Sequence, residues 1–119
     1  MLRCGIDVLE IERVNEGVER FGDRFMNRFF TEAERNDCDN MPHRLAARIT
    51  AKEAVAKALG TGIGKVQWKD IEIRNAASGR PVLHLYNHAA QVAQELGLTE
   101  WDISLSHSDE LATAMCVAM

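Results

Sequence analysis

The sequence is short of what marks the specialised protein classes. It holds only two prolines and no Pro/Ser-rich or low-complexity tract, so nothing in it reads as a linker between domains. Its three cysteines, Cys4, Cys38 and Cys116, are widely separated and form no C-x-x-C pair, which removes a disulfide framework and a zinc or dithiol motif. No apolar run approaches the ~18 residues a membrane helix needs. Met1-Leu2-Arg3-Cys4-Gly5-Ile6-Asp7 meets a carboxylate too early for a signal peptide. A basic excess is missing too: 14 Lys and Arg against 18 Asp and Glu leave a formal net charge of −4, which argues against a dedicated nucleic-acid binder. What remains is a 119-residue cytoplasmic chain, expected to form one domain over 1–119 without membrane or nucleic-acid partners. Cys4 and Cys116 lie in apolar runs and are expected to be reduced, buried thiols.

Leu2, Cys4, Ile6 and Val8 alternate with Arg3, Gly5 and Asp7, the period-2 pattern of a half-buried strand. From Ile11 the period changes. Ile11, Val14, Val18, Phe21 and Phe25 mark one face of a single amphipathic helix. Thr31-Glu32-Ala33-Glu34 reads as a capping box with Thr31 as N-cap, opening a short second helix. A third helix over about 43–59 turns Leu45, Ile49, Val55, Ala56 and Leu59 to the core, and Gly60 ends it at C′. Two alternating segments, 71–74 and 81–85, flank a turn and predict a hairpin. Asn87 stands where the N-cap of a further helix belongs, and Gly97 closes that helix. Residues 101–106 and 111–117 form a last antiparallel pair joined by His107-Ser108-Asp109-Glu110. The order β-α-α-α-β-β-α-β-β is that of an α+β fold, helices packed on a mostly antiparallel sheet.

Three features carry acid–base or ligand-binding chemistry. Asp7 sits at a strand terminus on the same face as Gly5, where it either opens a turn into solvent or reaches a metal or ligand. Glu53 and Lys57, spaced i, i+4, share a helix face. They are either a surface ion pair or, because they flank the apolar stripe beside small Ala46, Thr50 and Ala54, the wall of a site. The free amides of Gly60, Gly62 and Gly64 together with Lys57 can hold phosphate oxygens. This is no Walker A loop, because the lysine precedes the glycines and the loop follows a helix. Ser104-Leu105-Ser106-His107-Ser108-Asp109 is a polar hairpin tip. Its serine, histidine and aspartate point apart and form no nucleophile array.

Taken together, Gly5-Ile6-Asp7 with Glu10-Ile11-Glu12-Arg13, Phe30-Thr31-Glu32-Ala33-Glu34 and the block Ala51-Lys52-Glu53-Ala54-Val55-Ala56-Lys57-Ala58-Leu59-Gly60-Thr61-Gly62 resemble the holo-[acyl-carrier-protein] synthase family. Trp68-Lys69-Asp70-Ile71-Glu72-Ile73, Gly79-Arg80-Pro81 and Ser104-Leu105-Ser106-His107 extend the resemblance, in order, over nearly the whole chain. It implies a 4′-phosphopantetheinyl transferase fold. The implied activity moves phosphopantetheine from coenzyme A to a serine of apo acyl carrier protein, releasing adenosine 3′,5′-bisphosphate, for fatty acid biosynthesis. It further implies Mg²⁺ held by Asp7 and Glu53, and Lys57 on the coenzyme A pyrophosphate. His107 and the turn containing Arg80 and Pro81 are implied near the nucleotide, with Arg48 serving the same ligand, and members are typically homotrimers. Larger relatives carry Asp-x-Glu at the first metal motif, whereas Leu9 stands two residues after Asp7 here. Two carboxylates then remain, which suits Mg²⁺ because it keeps several waters. The acceptor serine must lose a proton, either to a water on the metal or to Glu53.

The arginines of the first helix, Arg13, Arg20, Arg24 and Arg28, are spaced 7, 4 and 4 and form one stripe, while Glu12, Glu16, Glu19 and Asp23 fall beside it. A solvated helix face interleaves its signs. The stripe is therefore expected to dock the acidic helix of the carrier protein. Two rival functions share these residues: a non-catalytic module binding acidic partners through the stripe, and a metal-dependent hydrolase cleaving coenzyme A with water as acceptor.

Overall fold

In the computed structural model, which describes residues 1–119, strand β1 (Arg3–Glu10) runs straight into helix α1 (Ile11–Phe21). Then follow α2 (Asp23–Phe29), α3 (Glu32–Cys38), α4 (Pro42–Leu59), a 3₁₀ turn (Trp68–Asp70), β2 (Ile71–Asn75), β3 (Pro81–Leu85), α5 (Asn87–Glu95), β4 (Trp101–His107) and β5 (Leu111–Ala118). The expected single sheet is two antiparallel sheets, β1-β5-β4 and β2-β3, joined side by side without ladder hydrogen bonds between them. The helix–strand content and antiparallel pairing match the expected α+β class.

Helix α4 is the axis of the molecule, enclosed on nearly all sides. Pro42 opens it in the first turn, where a missing N–H costs nothing, and Gly60 at φ 80° ends it. Its alanines let the sheet approach very closely. A Cβ added at Gly5 would lie 1.8 Å from the Ala54 carbonyl oxygen, so β1 crosses α4 at a point where only glycine fits. The rest of that sheet face is small for the same reason: Ala112, Ala114, Cys116 and Ala118 of β5 are buried against α4.

This close approach reverses the expected polarity of β1. The period-2 alternation is present, but Gly5 is the buried residue, and Cys4, Ile6 and Val8 point outward. Cys4 is therefore exposed, contrary to expectation, whereas Cys116 and Cys38 are buried. Burial pushes both of those thiols up to about 11.

The first helix is also two helices. Gly22, at φ 55° and ψ −125°, adopts a conformation open only to glycine and breaks the run between Phe21 and Asp23. Phe21, expected in the core, is 51% exposed, and Met26 takes the buried place on α2. Phe25 folds back over Gly17, where a Cβ would meet its ring at 2.3 Å.

The capping box forms as read. Thr31 Oγ1 accepts from the Glu34 amide, and Glu34 accepts from the Thr31 amide. Glu34 is fully buried and also receives the Lys52 ammonium at 2.6 Å and the Ile73 amide at 2.9 Å. Lys52 donates in addition to the Trp68 carbonyl, so this pair locks α3, α4 and β2 together. Burial outweighs the attraction of Glu34 and holds the Lys52 ammonium below its ordinary pKa. Asn87 does not cap α5. It sits at φ 51° and donates instead to Asp70 at 3.0 Å.

Candidate active site

Asp7 lies on the α4-facing side of β1, two residues from Gly5 and in register with Ala114. Because β1 touches α4 at Gly5, between Ala54 and Ala58, the Asp7 carboxylate two residues along the strand lies within reach of Lys57. The Lys57 ammonium donates to Asp7 Oδ1 at 3.1 Å and to the Ile6 carbonyl at 3.0 Å. Glu53 stands one turn earlier on the same face. Its carboxyl is held above the ordinary glutamate value, first by burial and then by the negative charge of Asp7, with Lys57 opposing. Two carboxylates from two elements thus lie close enough to feel one another's charge, with one ammonium paired to Asp7. Such a set can hold a divalent cation by oxygen ligands, and the mutual repulsion of the carboxylates is what that cation would relieve.

One cation of this region is missing from the sequence-based expectation. Arg3, on the same strand face as Gly5 and Asp7, donates its Nε to the Ala58 carbonyl at 2.8 Å and lays its guanidinium over Gly60. It thereby offsets the negative end of the α4 dipole beside the glycine loop. The strand period puts Arg3 on the Asp7 face, and the unpaired carbonyls at a helix end call for such a donor. Gly60 and Gly62 both have left-handed backbones, at φ 80° and 65°. The 60–62 amides turn back onto the Ala56 and Lys57 carbonyls and the Gly64 amide donates to the Val66 carbonyl, so, contrary to expectation, the glycine amides are not free for phosphate and the loop is tied to the helix end.

The remaining candidate residues are not gathered at the carboxylate pair. Arg48 is buried on the other side of α4, donating to Asn75 at the end of β2, with its Nε unpaired. Arg80 pairs with Asp102 at the start of β4 at 2.6 Å, beside Pro81 in the β2–β3 turn region. His107 is at the far end of β4, stacked on His43 of α4 with ring centroids 4.9 Å apart and its Nδ1 3.2 Å from the Ser108 carbonyl. Five residues of strand, about 17 Å at ~3.4 Å each, separate Asp102 from His107. Arg80 and His107 of one chain are therefore not gathered at one point.

The four arginines do converge, although two helices carry them instead of one. Arg13 and Arg20 from α1 and Arg24 and Arg28 from α2 line a cleft of about 460 Å³, floored by Phe21, Phe25 and Phe29. Glu16 lies in the same cleft, a departure from the expected separation of signs. Arg20 stacks on Phe21 at 5.6 Å and Arg28 on Phe29 at 5.5 Å, so the rim is cationic and the floor aromatic.

Comparison with known proteins adds a family to this geometry. The model of the 4′-phosphopantetheinyl transferase superfamily matches residues 3–116. Curated relatives include the holo-[acyl-carrier-protein] synthase of Herpetosiphon aurantiacus, 46% identical over 100% of this chain and 99% of the relative. Another is that of Carboxydothermus hydrogenoformans, 45% identical over 98% of this chain and 97% of the relative. Among solved structures, the Helicobacter pylori holo-[acyl-carrier-protein] synthase in complex with coenzyme A superposes with a TM-score of 0.89 at 29% identity, covering 98% of this chain and 99% of that one. The Bacillus anthracis synthase in complex with coenzyme A (3′,5′-ADP) gives a TM-score of 0.77 at 38% identity, covering 98% of this chain and 94% of that one.

Proposed function

The chain belongs to the 4′-phosphopantetheinyl transferase superfamily, and on that premise we propose that it transfers 4′-phosphopantetheine from coenzyme A to a serine of apo acyl carrier protein. The products are holo carrier protein and adenosine 3′,5′-bisphosphate, and the reaction serves fatty acid biosynthesis. The observation that carries the reading is the Asp7–Glu53–Lys57 cluster, whose two carboxylates and ammonium fit a metal-assisted displacement at a diphosphate.

The donor set fits Mg²⁺: two carboxylates of unlike elements leave room for waters and diphosphate oxygens. Asp7 and Glu53 would hold the ion, which when bound supplies neutralisation of charge on the diphosphate. Lys57 binds the diphosphate as a point charge and stabilises the departing bisphosphate. The serine oxygen forms the new P–O bond to the phosphopantetheine phosphorus, and the bond to the bisphosphate oxygen breaks. The serine proton must go to a base. Glu53, beside Asp7 and Lys57, is the residue of this chain assigned to receive it. Gly60 and Gly62 are assigned to the coenzyme A site through the room their missing side chains leave beside Lys57, since their amides are taken up by the helix end, and Arg48, Pro81, Arg80 and His107 are assigned to the nucleotide.

That last assignment is divided between two chains in this reading, since Arg80 and His107 lie at opposite ends of β4. The outer face of the β1-β5-β4 sheet supports a homotrimer. Leu2, Ile6, Val8, Leu111, Met115 and Val117 all stand exposed there, an apolar surface that water disfavours. The cationic rim and aromatic floor formed by Arg13, Arg20, Arg24 and Arg28 suit an acidic amphipathic helix, the docking element assigned to the carrier protein. No helix is long and apolar enough to cross a membrane, and the proposed setting is the cytoplasm.

The test is incubation with coenzyme A, Mg²⁺ and apo carrier protein, followed by weighing the carrier. Gain of one phosphopantetheine is the expected result. Cleavage of coenzyme A with an unmodified carrier would favour the hydrolase reading instead.

A further inference from the structure

Without a metal, the positive charge at the carboxylate pair comes from the chain itself. The Lys57 ammonium is 3.1 Å from Asp7 Oδ1, on the oxygen set assigned above to the metal. Its second anchor, the neutral Ile6 carbonyl, is the weaker one. The Lys57 side chain is 52% exposed, so its stem is free to swing out of the cleft, whereas Asp7, on a paired strand, is only 22% exposed. An ammonium and a divalent ion cannot share one carboxylate at such range without strong mutual repulsion.

We propose that Lys57 is a displaceable internal counter-ion that couples the two ligands: a metal entering at Asp7 and Glu53 expels the ammonium, and the diphosphate of coenzyme A receives it. This rests on the metal and diphosphate assignments made above. It adds a thermodynamic consequence that those assignments do not contain. In the free chain Lys57 competes with the metal, and a diphosphate that draws Lys57 away removes the competitor. Coupling between sites is reciprocal, so coenzyme A raises metal affinity by the factor by which metal raises coenzyme A affinity. The lysine is thus the residue that disfavours metal without nucleotide.

The test uses Mn²⁺ as the probe and the spectroscopic signal of free Mn²⁺ as the readout, on the full chain without coenzyme A. Lys57→Met should bind Mn²⁺ about 10-fold more tightly than wild type, in the common range for coupled sites. Lys57→Arg, which keeps the charge, should not gain affinity. Adding coenzyme A, with its own Mn²⁺ binding subtracted by a protein-free titration, should tighten Mn²⁺ binding to both proteins through the diphosphate oxygens, but by about 10-fold more in wild type than in Lys57→Met. Equal or weaker Mn²⁺ binding by Lys57→Met, with wild type binding normally, would overturn the counter-ion role and leave the metal assignment standing. Failure of wild type to bind Mn²⁺ in either condition would overturn both.

Discussion

The contact between Gly5 and Ala54 places Asp7 opposite Glu53, and its disruption has a calculable consequence. In Gly5→Ala the new Cβ would lie 1.8 Å from the Ala54 carbonyl oxygen, 2.8 Å from its carbon and 3.1 Å from the Ala58 nitrogen. All three atoms are backbone of α4, which is held on nearly every side and cannot yield as a side chain does. To reach ordinary contact, β1 must retreat by about 1.6 Å, since such contacts begin at 3.4 Å. Overpacking of this kind costs about 3 kcal/mol, which in a domain of this size lowers Tm by roughly 12 °C. Asp7, two residues along the same strand face, moves with it. A misplacement of more than an ångström at a reacting centre costs on the order of 100-fold, so carrier modification should fall by about that factor at a temperature where the variant is folded. The assays are thermal unfolding by circular dichroism and the mass of the carrier protein. Cys116→Ala is the matched control: it removes the thiol that contacts the same Ala54 carbonyl at 3.4 Å, and should lower Tm without moving Asp7. Wild-type transfer by folded Gly5→Ala would refute the claim that this contact sets the site.

Lys52→Met strands the Glu34 carboxylate in the interior and should lose about 3–5 kcal/mol in urea unfolding, since breaking a buried pair leaves an uncompensated charge. Glu53 is protonated more readily in the folded chain than its ordinary value of 4.5 allows, so metal affinity should fall with pH already above that value. The same shift carries a stability sign: the folded state holds this proton more tightly, so Glu53 costs stability as pH rises from 4.5 through its raised value. Glu53→Gln should therefore unfold no more easily than wild type at neutral pH while losing transfer. Reversing Arg13 and Arg20 to Glu should raise the carrier-protein KM roughly 10-fold or more at low salt, with coenzyme A binding by calorimetry unchanged. Ile6→Asp, on the outer sheet face, should reduce the proposed trimer to a monomer in light scattering.

The residues of the cleft were legible because their spacing is local. Glu53 and Lys57 share a helix face by i, i+4 alone, and Asp7 shares a strand face with Gly5 by alternation. What the alternation did not reveal is which face turns inward. Hydrophobicity points to Leu2, Ile6 and Val8, yet the Ala-rich α4 comes so close that only Gly5 and the small residues of β5 fit beneath it. The larger side chains are left outside, exposed on the outer face of the sheet. The break at Gly22 escaped notice for a related reason: periodicity continues across it, since α2 resumes an apolar face of its own around Met26. Strand alternation places Arg3 on the Asp7 face, but its acceptor, the Ala58 carbonyl, is 55 residues away and has no local signal. The arginine cleft survived the break because the turn at Gly22 folds α2 back against α1, as the packing of Phe25 on Gly17 requires.

The central claim, that Asp7 and Glu53 seat a metal-dependent phosphopantetheinyl transfer, is tested most directly by the mass of the carrier protein after reaction in a chelator, after restoring Mg²⁺, and with Asp7→Asn in Mg²⁺. The account predicts an unmodified carrier in the first, one added phosphopantetheine in the second and almost none in the third. Full modification in chelator, or by folded Asp7→Asn, would contradict it.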